Sequence, residues 1–80
     1  MMDPVCPLAL LSAGTSAIVA EVRAGKEMRL RLAGMGLCPG ARVRAQCVDR
    51  GSLIVSVGDA RYALSRGIAT KILVGELEAA

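Results

Sequence analysis

The stretch Met28–Gly40, MRLRLAGMGLCPG, begins with the spacing of a helix and ends with the residues of a turn. Three apolar side chains, Met28, Leu32 and Met35, fall at i, i+4 and i+7, which places them on one face of a helix. Charged side chains occupy the other faces. This pattern predicts a short amphipathic helix over residues 26–35.

The second half of the stretch predicts how that helix ends. Gly36 suits the left-handed position that commonly follows a helix, and Pro39 stops the helix from continuing. Leu37, the apolar residue directly after the glycine, would fold back on the last helical turn. Pro39 and Gly40 then lead the chain into the next strand.

On both sides of the helix, apolar and polar residues alternate in short runs bounded by turn residues, which is typical of strands. The predicted strands cover residues 15–23, 42–48, 52–57, 60–65 and 72–77, with a single turn over residues 67–71. The expected hairpin turns are Asp49-Arg50-Gly51 and Gly58-Asp59.

The alternation also predicts which side chains share a face of the sheet. In the first predicted strand, Ile18, Ala20 and Val22 fall on one face. In the second, the period of two predicts that Cys47 is a small core residue and not a reactive thiol. Tyr62, the single aromatic residue, is expected to face the core.

Five short strands with one short helix between strands 1 and 2 predict a mainly β fold. A sheet of this size without aromatic filling cannot form two thick layers, so it is expected to curl into a small barrel that protects its edges. Eighty residues make one such domain. We assign residues 7–78 to a single domain and expect residues 1–6 to be a flexible N-terminus.

The composition argues against catalysis and against a resident metal. The chain has no histidine, and Asp49 and Asp59 lie in turns, where aspartate is common for backbone reasons. Its three cysteines match no zinc-binding spacing, although a stable transition-metal site needs three or four converging ligands. Cys38 is a weak candidate for a loosely bound divalent ion, including one shared across a dimer. We expect no enzyme activity and no required cofactor.

The formal net charge of +3 suits an acidic protein surface or a phosphate backbone. Arg42 and Arg44 on one strand face, with Arg29 and Arg31 on the helix, could contact RNA. Proteins that bind single strands usually add stacking aromatic side chains, which are nearly absent here. RNA is therefore the alternative partner and not the expected one. A solvated outer face would explain the same arginines.

The run Val5–Ala20 carries no charge, as is typical of a membrane span or of the apolar part of an export signal. Its sixteen residues are too few to cross a bilayer. Asp3 stands where a signal peptide needs basic residues, and Pro7 and Gly14 interrupt the run. We expect no membrane insertion, and the unpaired cysteine count indicates reduced thiols in a cytoplasmic protein.

The sequence resembles the FeoA family, ferrous iron transport protein A, whose helix-to-turn signature reads Arg-Leu-x-x-Leu-Gly-Leu-x-Pro-Gly. The residues that match this signature in register are Arg31, Leu32, Met35, Gly36, Leu37, Pro39 and Gly40, with Met35 in place of the usual leucine. Matches to the family's leading pattern and later strand are Leu8, Leu11, Gly14, Gly58, Tyr62, Ala63 and Leu64. The resemblance covers nearly the whole chain.

The resemblance implies an SH3-like barrel in a small cytosolic accessory protein of ferrous iron uptake. Its implied partner is the membrane ferrous iron permease FeoB. The protein would dock on the cytosolic, GTP-binding region of that permease and modulate it.

The helix-turn region is the predicted partner surface, because it combines apolar groups with arginine, as protein interfaces do. Leu37 is the expected apolar anchor, with Arg29 and Arg31 as steering charges, although Leu37 could equally serve only to close the helix end. The same surface or a strand edge leaves a homodimer open. The predicted partner-binding residues are Arg29, Arg31, Leu32, Met35, Leu37, Pro39 and Arg42.

Overall fold

The structure, a computed structural model, describes residues 5–76. Within them, the strands are β1 (Val5–Pro7), β2 (Ser16–Val22), β3 (Arg42–Asp49), β4 (Ser52–Val57), β5 (Ala60–Ser65) and β6 (Ile72–Glu76). The helices are α1 (Lys26–Gly34) and α2 (Arg66–Thr70), and a 3₁₀ turn covers Leu8–Leu10. The helix predicted around the helix-to-turn stretch is confirmed and lies between β2 and β3.

The six strands form one antiparallel sheet in the order β1-β6-β2-β3-β4-β5. The hairpin from β3 to β4 turns on Arg50 and Gly51, whose φ values of 53° and 81° are both positive, as a type I′ turn requires. The hairpin from β4 to β5 has Gly58 at φ 60° in its first loop position, as in a type II′ turn. Both predicted hairpins are confirmed.

The sheet curls around a single core. Its buried hydrophobic residues are Leu8, Ala17, Val19, Leu32, Leu37, Val43, Ala45, Leu53, Val55, Leu64, Ala69, Ile72 and Val74. Tyr62 packs against this cluster, as predicted. The short helix α2 contacts both β5 and the 3₁₀ turn that follows β1, so it connects the two edges of the sheet. Ser65 caps α2, because its Oγ accepts a 3.3 Å hydrogen bond from the N–H of Ile68.

Strand β1 is not predicted by the sequence. Val5 and Cys6 pair with Gly75 and Val74 of β6, so both belong to the sheet and not to a flexible terminus. A strand of three residues is too short for alternation to reveal it. The rest of the predicted terminus, residues 1–4, and the ends of the predicted last strand and domain, residues 77–78, lie outside the described residues.

A β-bulge in β2 overturns the predicted facing of that strand. The register with β6 shifts between Val19 and Glu21, so Ala20 is an extra residue. Val19 is buried and Val22 packs against the core, while Ala20 is exposed. The face predicted to hold Ile18, Ala20 and Val22 together is therefore wrong, because one inserted residue interrupts the period of two.

A second bulge, in β3, reverses the position of Cys47. The register with β4 shifts between Ala45 and Cys47, with Gln46 as the extra residue. Val43 and Ala45 are buried, as the alternation predicts. Beyond the bulge, Cys47 lies opposite Ile54 and is exposed. The prediction that Cys47 is a core residue is wrong for the same physical reason as in β2.

Candidate functional site

Two backbone hydrogen bonds close the end of α1. The N–H of Leu37 donates to the carbonyl of Leu32 at 2.9 Å, and the N–H of Gly36 donates to the carbonyl of Ala33 at 2.9 Å. This is the Schellman arrangement, with Gly36 at φ 87° in the left-handed region. A Cβ on Gly36 would lie 2.9 Å from Cγ1 of Val57. Backbone conformation and available space therefore both require glycine here.

Leu37 is fully buried, with 0% of its surface exposed, and Leu32 beside it is 2% exposed. The two side chains belong to the same core cluster, as is usual for the apolar pair of this motif. Leu37 therefore closes the helix end. The expectation that it projects as an apolar anchor is wrong, because the Schellman turn directs it beneath the last helical turn and into the barrel.

The loop after α1 is tied to the bulged strand β2. The N–H of Gly40 donates to the carbonyl of Val19 at 2.8 Å, and the N–H of Val19 donates to the carbonyl of Ala41 at 2.8 Å. These bonds lie beside the extra residue Ala20. They hold the loop that leads from α1 to β3 against β2.

An open groove of about 470 Å³ lies between α1 and the end of β2, and we call it the helix groove. Its lining residues are Ala20, Glu21, Val22, Lys26, Arg29, Leu30, Ala33, Leu37, Cys38 and Pro39. Leu30 is 64% exposed there. Glu21, Lys26 and Arg29 place charges around an otherwise apolar groove. Its composition suits contact with an apolar group.

The structure brings only part of the predicted partner surface to this groove. Arg29 and Pro39 line it, and Leu37 lies beneath it. Leu32 is buried and Met35 is half-buried, so both chiefly support the fold. Arg31 and Arg42 are exposed outside the groove lining.

Leu30 is the groove residue that sequence reasoning missed. Leu30 and Ala33 fall at i and i+3 of the helix, apart from the core-facing stripe of Met28, Leu32 and Met35. The signal was therefore present in the sequence as a second apolar stripe. It could not be assigned to a surface because two neighbouring stripes compete for the core, and only the packed structure shows which one is buried.

A second groove, of about 440 Å³, crosses the outer surface of β2, β3 and β4, and we call it the arginine groove. Its lining residues are Ser16, Arg42, Val43, Arg44, Gln46, Ser56 and Gly58. Arg42 and Arg44 share one face of β3, as predicted, and both are exposed. The side-chain amide of Gln46 donates a hydrogen bond to Oγ of Ser56. The bulge at Gln46 thus positions a polar side chain inside this groove.

No cluster of three or more histidine, cysteine, aspartate or glutamate side chains converges within residues 5–76. Cys38, the weak metal candidate, is exposed at the helix groove. Among the side chains that the structure describes, the one ion pair joins Arg23 Nε to Glu21 Oε2 at 2.9 Å. Of the described helices, none has the length and apolar character needed to cross a membrane.

The curled six-stranded sheet, with one helix closed by a Schellman turn, defines a small β-barrel of SH3-like fold. The family model of the FeoA domain matches residues 6–76. The chain belongs to the FeoA family, and the resemblance seen in its helix-to-turn signature is confirmed.

Similar proteins agree with this assignment. A relative from Methanocaldococcus jannaschii, provisionally named Fe(2+) transport protein A, is 33% identical over 72 residues, which are 90% of this chain and 88% of the relative. A crystal structure of the iron uptake regulatory protein FeoA has a TM-score of 0.85 and 35% identity, covering 92% of this chain and 99% of that one. The solution structure of FeoA from Chlorobium tepidum has a TM-score of 0.84 and 28% identity, covering 90% and 70%.

The fold also extends to a manganese-dependent transcriptional repressor. It has a TM-score of 0.81 and 24% identity, with 96% of this chain matching 44% of the repressor. This likeness concerns the fold alone.

Proposed function

We propose that this protein is a small cytoplasmic accessory protein of ferrous iron uptake, which docks without catalysis on the cytosolic region of the ferrous iron permease FeoB. Family membership and the names of its relatives support a place in iron transport. The docking surface is assigned to the helix groove because Leu30 of α1 is 64% exposed there, facing the end of β2. Docking need only favour one conformation of the permease over another to modulate it.

The helix groove has the composition of an interface centre. Leu30 and Ala33 form an apolar wall, and Arg29 lies at its edge. Apolar side chains at the centre with arginine nearby are enriched at protein interfaces. Burying the exposed part of a leucine contributes about 1–2 kcal/mol to binding. Leu30 therefore takes the anchoring role in this proposal.

The exposed arginines around the groove would act on the rate of encounter. Arg29 lines the groove, and Arg31 and Arg42 are exposed outside it. Charges at the rim of an interface mainly steer association and add less to the final affinity. We therefore assign Arg29 and Arg31 to steering an acidic surface of the permease toward the groove, whereas Arg42 lines the arginine groove.

The test is the affinity of the purified cytosolic region of FeoB for three forms of this protein: wild type, Leu30→Glu and Leu10→Glu. Leu10 is the matched control, because it is 72% exposed, lies outside the helix groove and receives the same charge. We expect Leu30→Glu to weaken binding by about tenfold or more, since a charge would enter the apolar centre of the contact. Leu10→Glu should stay within about twofold, as expected outside an interface.

Two outcomes count against the proposal in different ways. Equal affinity of both variants would remove the docking site from the helix groove. Failure of the wild type to bind, with or without GTP, would remove the permease as partner. Light scattering of the same samples separates docking from self-association through the same groove.

The alternative interpretation, an RNA-binding barrel, has less support from the structure. Tyr62, the single aromatic residue of the chain, is half-buried against the core and gives bases little stacking surface. The exposed arginines of the arginine groove could still bind an anion, and the size of that groove suits a ligand smaller than RNA.

A further inference from the structure

We infer that the arginine groove binds a small ligand that carries two or more phosphate groups. The inference concerns a different surface from the helix groove and does not rest on docking to the permease. It follows from how the strand register arranges arginine, serine and glutamine side chains on one face of the sheet.

The register places a polar row across four strands. Ser16 lies opposite Arg44, Arg44 opposite Ser56, and Ser56 opposite Arg61. Residues directly opposite each other in an antiparallel sheet project from the same face. Neighbouring strands are about 4.8 Å apart, so the backbones of Arg44 and Arg61 are about 10 Å apart. Arg42, two residues along β3, adds a third guanidinium to the same face about 7 Å away.

The groups in this row are the donors that phosphate oxygens accept. Guanidinium groups bind phosphate through two parallel hydrogen bonds, and hydroxyl and amide groups add further donors. Ser16, Ser56 and Gln46 supply such groups within the groove lining. The backbone positions are held by strands, which position a site better than loops do. The groove lining contains no carboxylate among the described side chains.

The shape and spread of the groove select the kind of anion. A volume of about 440 Å³ lies in the range of small-molecule sites. Arg42 and Arg44 line the groove, and the strand register places Arg61 on the same sheet face, outside the lining. These three arginines spread over roughly 10 Å of sheet, which exceeds the width of one phosphate, so a ligand with several phosphates uses them best. A protein partner would prefer an apolar centre, and a single-stranded nucleic acid would prefer exposed aromatic side chains. The groove lining has neither an aromatic nor an exposed leucine.

Inorganic tripolyphosphate is the probe, measured by calorimetry at low salt with the full chain and by amide chemical shifts. Arg42→Gln and Arg44→Gln, which change the two arginines of the groove lining, are the site variants. Arg66→Gln on α2 is the control, because it removes the same charge from an exposed position outside the groove. We expect each site variant to weaken binding about tenfold, the size of one lost charge-assisted contact, and the control to stay within about twofold. The shifted amides should cluster in β3, β4 and β5.

Several results would overturn the inference. Equal weakening by all three variants would mean that only the net charge attracts the anion. Monophosphate bound as tightly as tripolyphosphate would remove the need for several phosphates. Absence of tripolyphosphate binding would reject the ligand class, and binding of an oligouridylate or an oligoglutamate in that case would assign the face to RNA or to an acidic protein segment. Circular dichroism confirms that each exposed arginine variant is folded.

Discussion

The helix groove and the arginine groove both begin at a β-bulge, yet they present opposite chemistry. The bulge in β2 turns Ala20 outward, and the bulge in β3 adds Gln46 to the outer surface. Across from Ala20 lies the apolar side of α1, with Leu30 and Ala33. Across from Gln46 lies another strand, whose Ser56 accepts its hydrogen bond. A bulge thus creates an opening, and the neighbouring element decides what can bind there.

The two grooves also depend on different interactions for their shape. The helix groove needs α1 to end in the Schellman turn, which is held by buried Leu32 and Leu37 and by glycine at position 36. The arginine groove needs only the hydrogen-bonded register of β2 to β5. Changes at the helix end should therefore affect the helix groove while leaving the arginine groove intact.

The largest expected effect is a difference in the free energy of unfolding between alanine variants of two leucines near the helix end, Leu37 and Leu30. Leu37→Ala should lower the free energy of unfolding by about 3 kcal/mol, because it leaves a cavity in the core. Leu30→Ala should change it by no more than about 0.5 kcal/mol, since that side chain is mostly exposed. Urea denaturation measures both. A similar loss in the two variants would show that Leu30 is a packing residue and would remove the helix groove as a free surface.

The next effect concerns Gly36. Gly36→Ala should destabilise the protein by about 2 kcal/mol, because alanine is strained in the left-handed region and its Cβ would crowd Val57. In amide spectra of the folded variant, we expect changes concentrated in residues 30–39 and around Val57, with little change in β3 and β5. If Gly36→Ala still binds tripolyphosphate as the wild type does, the arginine groove does not depend on the end of α1. Equal disturbance of both grooves would show that the helix end and the sheet are coupled.

The smallest effect is a gain in stability instead of a loss, and it concerns Gly34, two residues before Gly36. Gly34 is in the last turn of α1, and a Cβ there would meet no atom within 4 Å. Gly34→Ala should therefore stabilise the protein by about 0.5–1 kcal/mol through better helix propensity. Urea denaturation beside Gly36→Ala provides the matched comparison. A destabilised Gly34→Ala would contradict the helical conformation at this position.

Features of the fold that depend on neighbouring residues in the chain could be predicted from the sequence. The helix over residues 26–35, the left-handed Gly36 and both hairpin turns rest on spacing and on residue types that permit particular backbone angles. The family could be predicted for the same reason, because its signature lies in that helix-to-turn stretch. The placement of Arg42 and Arg44 on the same face of β3 also followed from local alternation.

Features that depend on register could not be predicted. A bulge inserts one residue without any required sequence, so the burial of Val19 and the exposure of Cys47 were both missed. Strand β1 exists because β6 is there to pair with it. Inward packing of the helix face that holds Leu32 left Leu30 exposed, and the Schellman turn after α1 buried Leu37.

The sequence by itself determined a mainly β protein of the FeoA family, with a helix closed by a turn at Gly36. Backbone conformational limits act within a few residues, so they can be read along the chain. Tertiary structure alone decided which surfaces are available, because burial is settled only when distant segments compete for one core. It buried Leu37 in the core, left Leu30 exposed at the helix groove, and placed Arg44 and Arg61 on one face of the sheet through the pairing of β3 with β4 and of β4 with β5.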